Sequence, residues 1–137
     1  MEQILLHLFG DYFLQTDKQA LNKKKSSYHC LLHCLSYSLI FLFIASWKAV
    51  VVIGVTHFII DRWSVVPYLI AIKNQTKKEV IDKKSYKGKG SYPIKMVYDI
   101  SNFGFAIDRP FVLSIWLMII TDNTFHLIIN YFAIKWF

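Results

Sequence analysis

Charged side chains are scarce along much of this chain, and their absence limits the class of protein. Charged residues make up 18% of the 137 residues and hydrophobic residues 55%, so the chain is poorer in charge than an average soluble domain. Residues 31–52 contain only His33 and Lys48 as strongly polar side chains. About 20 apolar residues are enough to cross a hydrocarbon core of about 30 Å. The composition therefore predicts a membrane protein.

Cysteine is also rare, and the two that occur, Cys30 and Cys34, lie four residues apart. Four residues along a helix is a poor geometry for a disulfide, so both are interpreted as reduced, buried thiols. A soft thiolate metal site is correspondingly disfavoured.

The N-terminus lacks a basic region, and His7 and Asp11 interrupt its apolar run. No cleavable signal peptide is therefore expected, and the first segment should remain in the mature protein.

Four hydrophobic segments are expected to be helical. They cover about residues 3–15, 28–47, 48–72 and 110–136. The first is too short to cross a membrane unless it continues to Leu21, and Pro67 should kink or end the third. The predicted fold is an all-α integral membrane bundle of three spanning helices plus a short N-terminal membrane helix. It forms a single domain over residues 1–137, with a hydrophilic basic loop at about 73–108.

Acidic residues are outnumbered, nine against sixteen lysines and arginines, which gives a net charge of +7. The basic residues concentrate between the first two segments and in the long loop, so the positive-inside rule predicts a multi-pass protein of the bacterial inner membrane with these loops cytoplasmic. Attraction to anionic lipid headgroups is favoured over nucleic-acid binding. The Tyr86-Lys87-Gly88-Lys89-Gly90 segment could grip RNA or a phosphate, but this motif is weak.

All five histidines lie four residues from another potential metal ligand. The pairs are His7/Asp11, His29/His33, His57/Asp61 and Asp122/His126. Each pair projects from one helix face, and the four pairs fall in four separate apolar segments. Ionisable groups inside a membrane are costly and usually functional. The pattern predicts a metal site within the bundle.

The candidate metal ligands share imidazole or carboxylate chemistry. They are His7, Asp11, His33, His57, Asp61, Asp122 and His126. Such mixed ligation suits a divalent metal, with zinc or manganese favoured and iron compatible, as one ion or two. For a single membrane histidine, a hydrogen bond between helices is the plainer interpretation. Asp61 could instead pair with Arg62 or Lys18.

A resemblance follows from three segments in order. These are His7 to Gln15 with the pattern H-x-x-G-D-F/Y-x-x-Q, His57 to Asp61 with H-F/Y-x-x-D, and Asp122 to His126 with D-N/Q-x-x-H. They resemble a family of small bacterial and phage membrane proteins that is classed as a domain of unknown function. The likeness covers nearly the whole chain. This family is in turn more distantly similar to predicted membrane-bound metal-dependent hydrolases.

A metal held by His and Asp can activate water and polarise a phosphoryl oxygen. The leading hypothesis is a membrane-embedded metal-dependent hydrolase of phosphoester bonds in a lipid-linked or nucleotide substrate. Asp11, Asp61 and Gln15 are the predicted catalytic residues, and Lys18, Arg62 and Asn123 the predicted substrate-binding residues. Membrane lipid and a phosphorylated substrate are the expected partners, and an oligomer is compatible. The alternatives are a metal or proton carrier and a noncatalytic membrane partner.

Overall fold

The computed structural model describes residues 1–81 and 94–137, which form helices and one hairpin. In chain order these are α1 (Glu2–Leu8), a π-helical segment (Phe9–Phe13), α2 (Asp17–Asn22), α3 (Ser27–Leu39), a 3₁₀ turn (Ile40–Phe43), α4 (Trp47–Trp63), α5 (Val65–Lys73), β1 (Lys77–Ile81), β2 (Ile94–Tyr98) and α6 (Phe111–Trp136). Two compact units result, residues 1–65 with 120–137 and residues 66–119. The predicted Tyr86–Gly90 motif lies outside the described residues.

Local signals in the sequence explain where several helices begin and end. Thr16 accepts a hydrogen bond from the Gln19 backbone while the Gln19 side chain returns to the Thr16 backbone, so α2 begins with a capping box. Ser46 caps α4. The end of α4 at Trp63 follows from Pro67, because a proline ring clashes with the carbonyl four residues earlier. Ser64 takes the left-handed conformation at this break, with φ of 53°.

The first unit has its apolar core between α3, α4 and the end of α6. Tyr37, Phe41, Val50, Ile53 and Ala133 are buried together. Polar side chains are buried in the same unit, and they are His7, His33, Ser38, His57, Asp61, His126 and Asn130. Buried polar groups of this number need partners. The unit therefore has a polar interior beside its apolar core.

The second unit contains an antiparallel hairpin in which Lys77 pairs with Tyr98 and Ile81 with Ile94. Lys78 lies 2.9 Å from Asp99, just after the second strand. Gly104 has φ of +84°, and a β-carbon there would collide with the backbone of Pro67 and Ala71. The close approach of this loop to α5 therefore requires glycine.

The predicted bundle of three spanning helices plus an N-terminal membrane helix is wrong. Among the described residues, only α6 is by itself long and apolar enough to cross a membrane, whereas α4 and α5 meet the criterion only as a broken pair. The apolar segment at Ser27–Phe43 is too short, because the chain turns before Ser46 caps the next helix. The all-α prediction also fails, since the long loop contains β1 and β2.

Candidate metal centre

Two histidines from neighbouring helices meet in the interior of the first unit. His33 on α3 and His57 on α4 are both buried, and their Nε2 atoms lie 3.0 Å apart. The two helices can approach closely because Gly54 of α4 faces Ser38 of α3, where a β-carbon would be 3.0 Å from the serine Oγ. His33 and His57, which belong to different four-residue pairs in the sequence, are thus in contact between two helices.

Asp11 completes a group of three with these histidines. Its Oδ1 lies 3.2 Å from His33 Nε2 and 3.4 Å from His57 Nε2. Asp11 belongs to the π-helical segment, a local departure from α-helix that often occurs at functional sites. Gly10, one residue earlier, packs against the Tyr37 ring. A glycine is therefore needed for this segment to bring Asp11 to α3.

The group Asp11, His33 and His57, here called the first triad, could hold a metal ion. Ligands about 2.0 to 2.1 Å from a tetrahedral zinc ion are separated from one another by about 3.3 Å. The three separations in the first triad, 3.0, 3.2 and 3.4 Å, match one face of such a tetrahedron. Asp11 Oδ1 is also buried without a hydrogen-bond partner among the described residues. The donor set therefore fits a divalent ion.

Asp61 lies against the same two histidines and continues the site toward α6. Its Oδ2 is 3.2 Å from His57 Nε2 and 3.4 Å from His33 Nε2, and its Oδ1 is 3.8 Å from His126 Nε2. His57, Asp61 and His126 form a second triad that could also hold a metal ion. Asp122 lies 3.7 Å from His126. The second triad is wider than the first.

Within residues 1–81 and 94–137, Lys23 is the lysine that contacts this site. Its Nζ donates to Asp61 Oδ2 over 2.8 Å. Burial lowers the pKa of the ammonium, but the neighbouring Asp61 carboxylate outweighs burial and raises the pKa overall. Lys23 therefore carries a positive charge at neutral pH.

The charge state of Asp11 also follows from its neighbours. Burial raises the pKa of the Asp11 carboxyl, but the imidazoles of His33 and His57 outweigh burial and hold the pKa well below its ordinary value. Asp11 is consequently a carboxylate across the neutral range. Carboxylate is the form in which an aspartate binds metal.

A chain of hydrogen bonds fixes His7 beside the first triad. Asn130 Nδ2 donates to the Tyr37 hydroxyl over 2.6 Å, and this hydroxyl lies 2.7 Å from His7 Nδ1. His7 Nε2 lies 2.9 Å from Asn123 Oδ1, whose amide donates to Tyr12. One direction satisfies the whole chain: the tyrosine donates to Nδ1 and Nε2–H donates to Asn123. Both ring nitrogens of His7 are thus engaged.

The pKa directions agree with this hydrogen-bond direction. Burial lowers the pKa of His7 more than Asp11 raises it, so the ring is neutral at neutral pH. Burial and the Asp11 charge raise the pKa of Tyr37, so the phenol keeps its proton and can donate. His7 therefore lies beside the site with its tautomer set by Tyr37 and Asn123.

The structure places the other predicted residues in different settings. Gln15 Nε2 is buried without a hydrogen-bond partner among the described residues. Arg62 donates to Ser27 Oγ and to the carbonyl of Lys24. Lys18 is exposed, and its carbonyl accepts from Asn22. The catalytic and substrate-binding roles of these residues remain predictions, as do the ligand roles of His7 and Asp122.

Sequence reasoning missed three residues at this site. Tyr37 and Asn130 each follow a site histidine by four residues, so the helical spacing that identified the pairs also identifies them. Lys23 stands in a run of three lysines, where nothing in the sequence distinguishes it from Lys24 and Lys25. Its contact depends on how the turn after α2 folds against α4.

Comparison with known proteins identifies the family of this chain. The chain belongs to the family described as protein of unknown function DUF3307, whose family model matches residues 1–94. The matched part contains the first triad and Asp61, whereas Asp122 and His126 lie beyond it. No curated protein and no solved structure matches the chain significantly. The resemblance to a family of unknown function is confirmed, and the motif patterns and the likeness to hydrolases remain predictions.

Proposed function

We propose that the protein is a metal-dependent hydrolase of phosphoester bonds, with the first triad as its metal site. The spacing of Asp11, His33 and His57, 3.0 to 3.4 Å, is the observation that supports this proposal most directly. Three protein ligands with an open fourth position are typical of catalytic zinc sites, whereas structural sites are closed. Zinc or manganese, when bound, would activate water and polarise a phosphoryl oxygen.

Asp61, His126 and Gln15 would transfer the proton and position the substrate. Asp61 would accept the proton released by the attacking water at Oδ1, the oxygen that Lys23 does not contact, and His126 Nε2 lies 3.8 Å from that oxygen. His126 Nε2 has no hydrogen-bond partner among the described residues, so it could take the proton onward to Asp122. Gln15 follows Asp11 by four residues, and its amide nitrogen, which has no partner in the described part of the chain, could orient the attacking water or the substrate.

A two-ion site is the finer form of this proposal. Asp61 and His126 of the second triad, with Asp122 3.7 Å from His126, would provide the second position, because His57 Nε2 can bind only one ion. Two ions about 3.5 to 4 Å apart would suit phosphoester chemistry. Asp61 could contribute to either position, because its Oδ2 lies near His33 and His57 and its Oδ1 near His126.

The apolar surface of the first unit supports a membrane-associated protein. Leu31, Leu35 and Leu39 on α3 are about half exposed, and they recur every four residues along one face. Val51 and Val55 on α4 are similarly exposed. Soluble monomers rarely expose contiguous apolar surfaces of this kind. We place the protein at the bacterial inner membrane, attached at least through α6, with the basic residues before α6 on the cytoplasmic side.

Membrane association makes a lipid-linked phosphate the favoured substrate, with a nucleotide as the soluble counterpart. The purified full-length protein should hydrolyse a lipid-linked or nucleotide phosphoester, lose activity on chelation and recover it with zinc or manganese. Asp11→Asn should remove this activity, whereas Asp17→Asn, an exposed aspartate on α2, should not. A folded, metal-loaded protein that hydrolyses neither substrate class but moves metal across liposomes would replace the hydrolase with a carrier.

A further inference from the structure

We propose that Lys23 binds an anionic phosphate oxygen at the metal centre, and this inference rests on the proposed hydrolase function. Its ammonium lies 2.8 Å from Asp61 Oδ2, the oxygen that also lies within 3.4 Å of His33 and His57. Nothing in the sequence separates Lys23 from the neighbouring lysines. Its position in the fold does.

Exposure shows which side of the site a solute can reach. His33, His57 and Asp61 are at most 5% exposed, whereas the side chains of Lys23 and Asp122 are 18% and 28% exposed. Among the described residues around the site, Lys23 is the accessible cation, and the other accessible groups are carboxylates. An anion that approaches the buried histidines would therefore be attracted by Lys23.

Asp61 accepts only one of the hydrogen-bond donors of the Lys23 ammonium. An ammonium group has three donors, and Nζ makes one hydrogen bond, to Asp61, among the described residues. Asp61 in turn has the imidazoles of His33, His57 and His126 as further neighbours. Two donors of Lys23 thus remain for a ligand, and its flexible stem allows the ammonium to follow one.

A bound divalent ion would change the electrostatic interactions of Lys23 and favour a new partner for its ammonium. Besides Asp61, the carboxyl groups of Asp11 and Asp122 also attract the ammonium of Lys23. A divalent ion in the first triad would add positive charge beside Asp61 and weaken the attraction between Asp61 and the ammonium. Lys23 would then be free to pair with a phosphate oxygen beside the ion, with Asp61 holding it in place until then.

The test measures phosphate binding rather than turnover. The full-length wild-type protein, Lys23→Met and Lys25→Met are purified in detergent, and bound zinc is measured first. Inorganic phosphate and a short-chain phosphatidic acid are then titrated calorimetrically into each zinc-loaded protein. Lys25 is the matched control, because it is an exposed lysine two residues away and its loss changes the net charge equally.

Lys23→Met should keep its zinc and bind phosphate roughly tenfold or more weakly, the size expected for one charge-assisted hydrogen bond. Lys25→Met should bind as the wild type does, and Lys23→Arg should retain most of the affinity. Tighter binding of the lipid than of inorganic phosphate, lost in Lys23→Met, would support a lipid phosphate as the ligand.

Equal phosphate affinity in Lys23→Met and Lys25→Met, with zinc bound in both, would overturn the role of Lys23 and leave the metal site intact. Absence of zinc from the wild type would overturn the proposed function and this inference together. Should Lys23→Met fail to fold, Lys23→Gln, which keeps a hydrogen-bond donor to Asp61 but removes the charge, is used in its place with the same criteria.

Discussion

Tyr37 joins the candidate metal centre to its hydrogen-bonded surroundings. Its ring packs over His57, with centroids 3.9 Å apart, and its hydroxyl contacts His7 and Asn130. It is completely buried. Neighbours of this kind orient the residues that bind a metal and usually matter for affinity.

Tyr37→Phe should therefore destabilise the protein. The change removes one hydroxyl and leaves His7 and Asn130 buried without that partner, at a cost of about 1 to 3 kcal/mol. Thermal unfolding in detergent measures the effect, and Tyr28→Phe on the same helix is the control, because Tyr28 is 65% exposed. Equal melting temperatures for the two variants would show that the hydrogen-bond chain does not contribute.

Loss of a metal ligand should weaken metal binding far more than loss of a histidine outside the site. Mutation of a residue that hydrogen-bonds to a metal ligand typically lowers metal affinity by roughly 10- to 100-fold. His33→Ala should weaken zinc binding by more than this, because His33 is itself a ligand. His29→Ala, the same change one turn earlier on α3, should leave affinity unchanged, because His29 contacts Tyr28 rather than the site. Competition with a chelating dye measures both. Similar losses in the two variants would argue against the first triad.

For individual residues, the sequence predicted which ligand-type side chains meet, but not the hydrogen bonds around them. Four-residue spacing identified His33, His57, Asp11 and Asp61 because a helix presents such residues on one face. It could not tell that both nitrogens of His7 would be engaged by Tyr37 and Asn123. That outcome depends on packing between helices, which helical spacing does not encode.

Among the elements, the π-helical segment Phe9–Phe13 has the most direct effect on the site. It brings Asp11 toward α3, and Gly10 provides the space for this approach. A β-carbon at residue 10 would lie 2.6 Å from Tyr37 Cδ2. The position of the carboxylate thus depends on one missing side chain.

Gly10→Ala should consequently cost about 1 to 3 kcal/mol, the usual range for overpacking, and should weaken metal binding by displacing Asp11 or Tyr37. Gly54→Ala is the comparison, since its β-carbon would meet only the Ser38 side chain, at 3.0 Å. Thermal unfolding and zinc titration of both variants measure the difference. A Gly10→Ala protein with wild-type stability and affinity would contradict this role for the segment.

The elements also show why the predicted spans failed. Hydropathy identified α6 almost to the residue, because its long apolar run has only one short polar interruption, at residues 122–124. The second run is shortened by the 3₁₀ turn at Ile40–Phe43, which a window average cannot detect. The third bends by 64° at Ser64, close to the kink that Pro67 predicts. The strand pair at Lys77–Ile81 and Ile94–Tyr98 was missed because a lysine-rich segment was interpreted as a loop.

For the whole molecule, the distribution of polarity supports membrane association. The first unit buries histidines, an aspartate and an asparagine, while it exposes leucines, valines and tryptophans. We therefore expect the expressed protein to sediment with membranes and to resist extraction by alkaline carbonate, with detergent needed for release. Release of the folded protein by carbonate alone would contradict membrane insertion through α6.

The metal content of the purified full-length protein is the decisive test of the proposed metal site. Elemental analysis of the wild type, Asp11→Ala, His33→Ala and His29→Ala, after exposure to zinc and removal of excess, gives the number of ions per chain. We expect at least one ion in the wild type and in His29→Ala, and none in Asp11→Ala or His33→Ala. A folded wild type without zinc or manganese, or full occupancy in both triad variants, would contradict the metal centre.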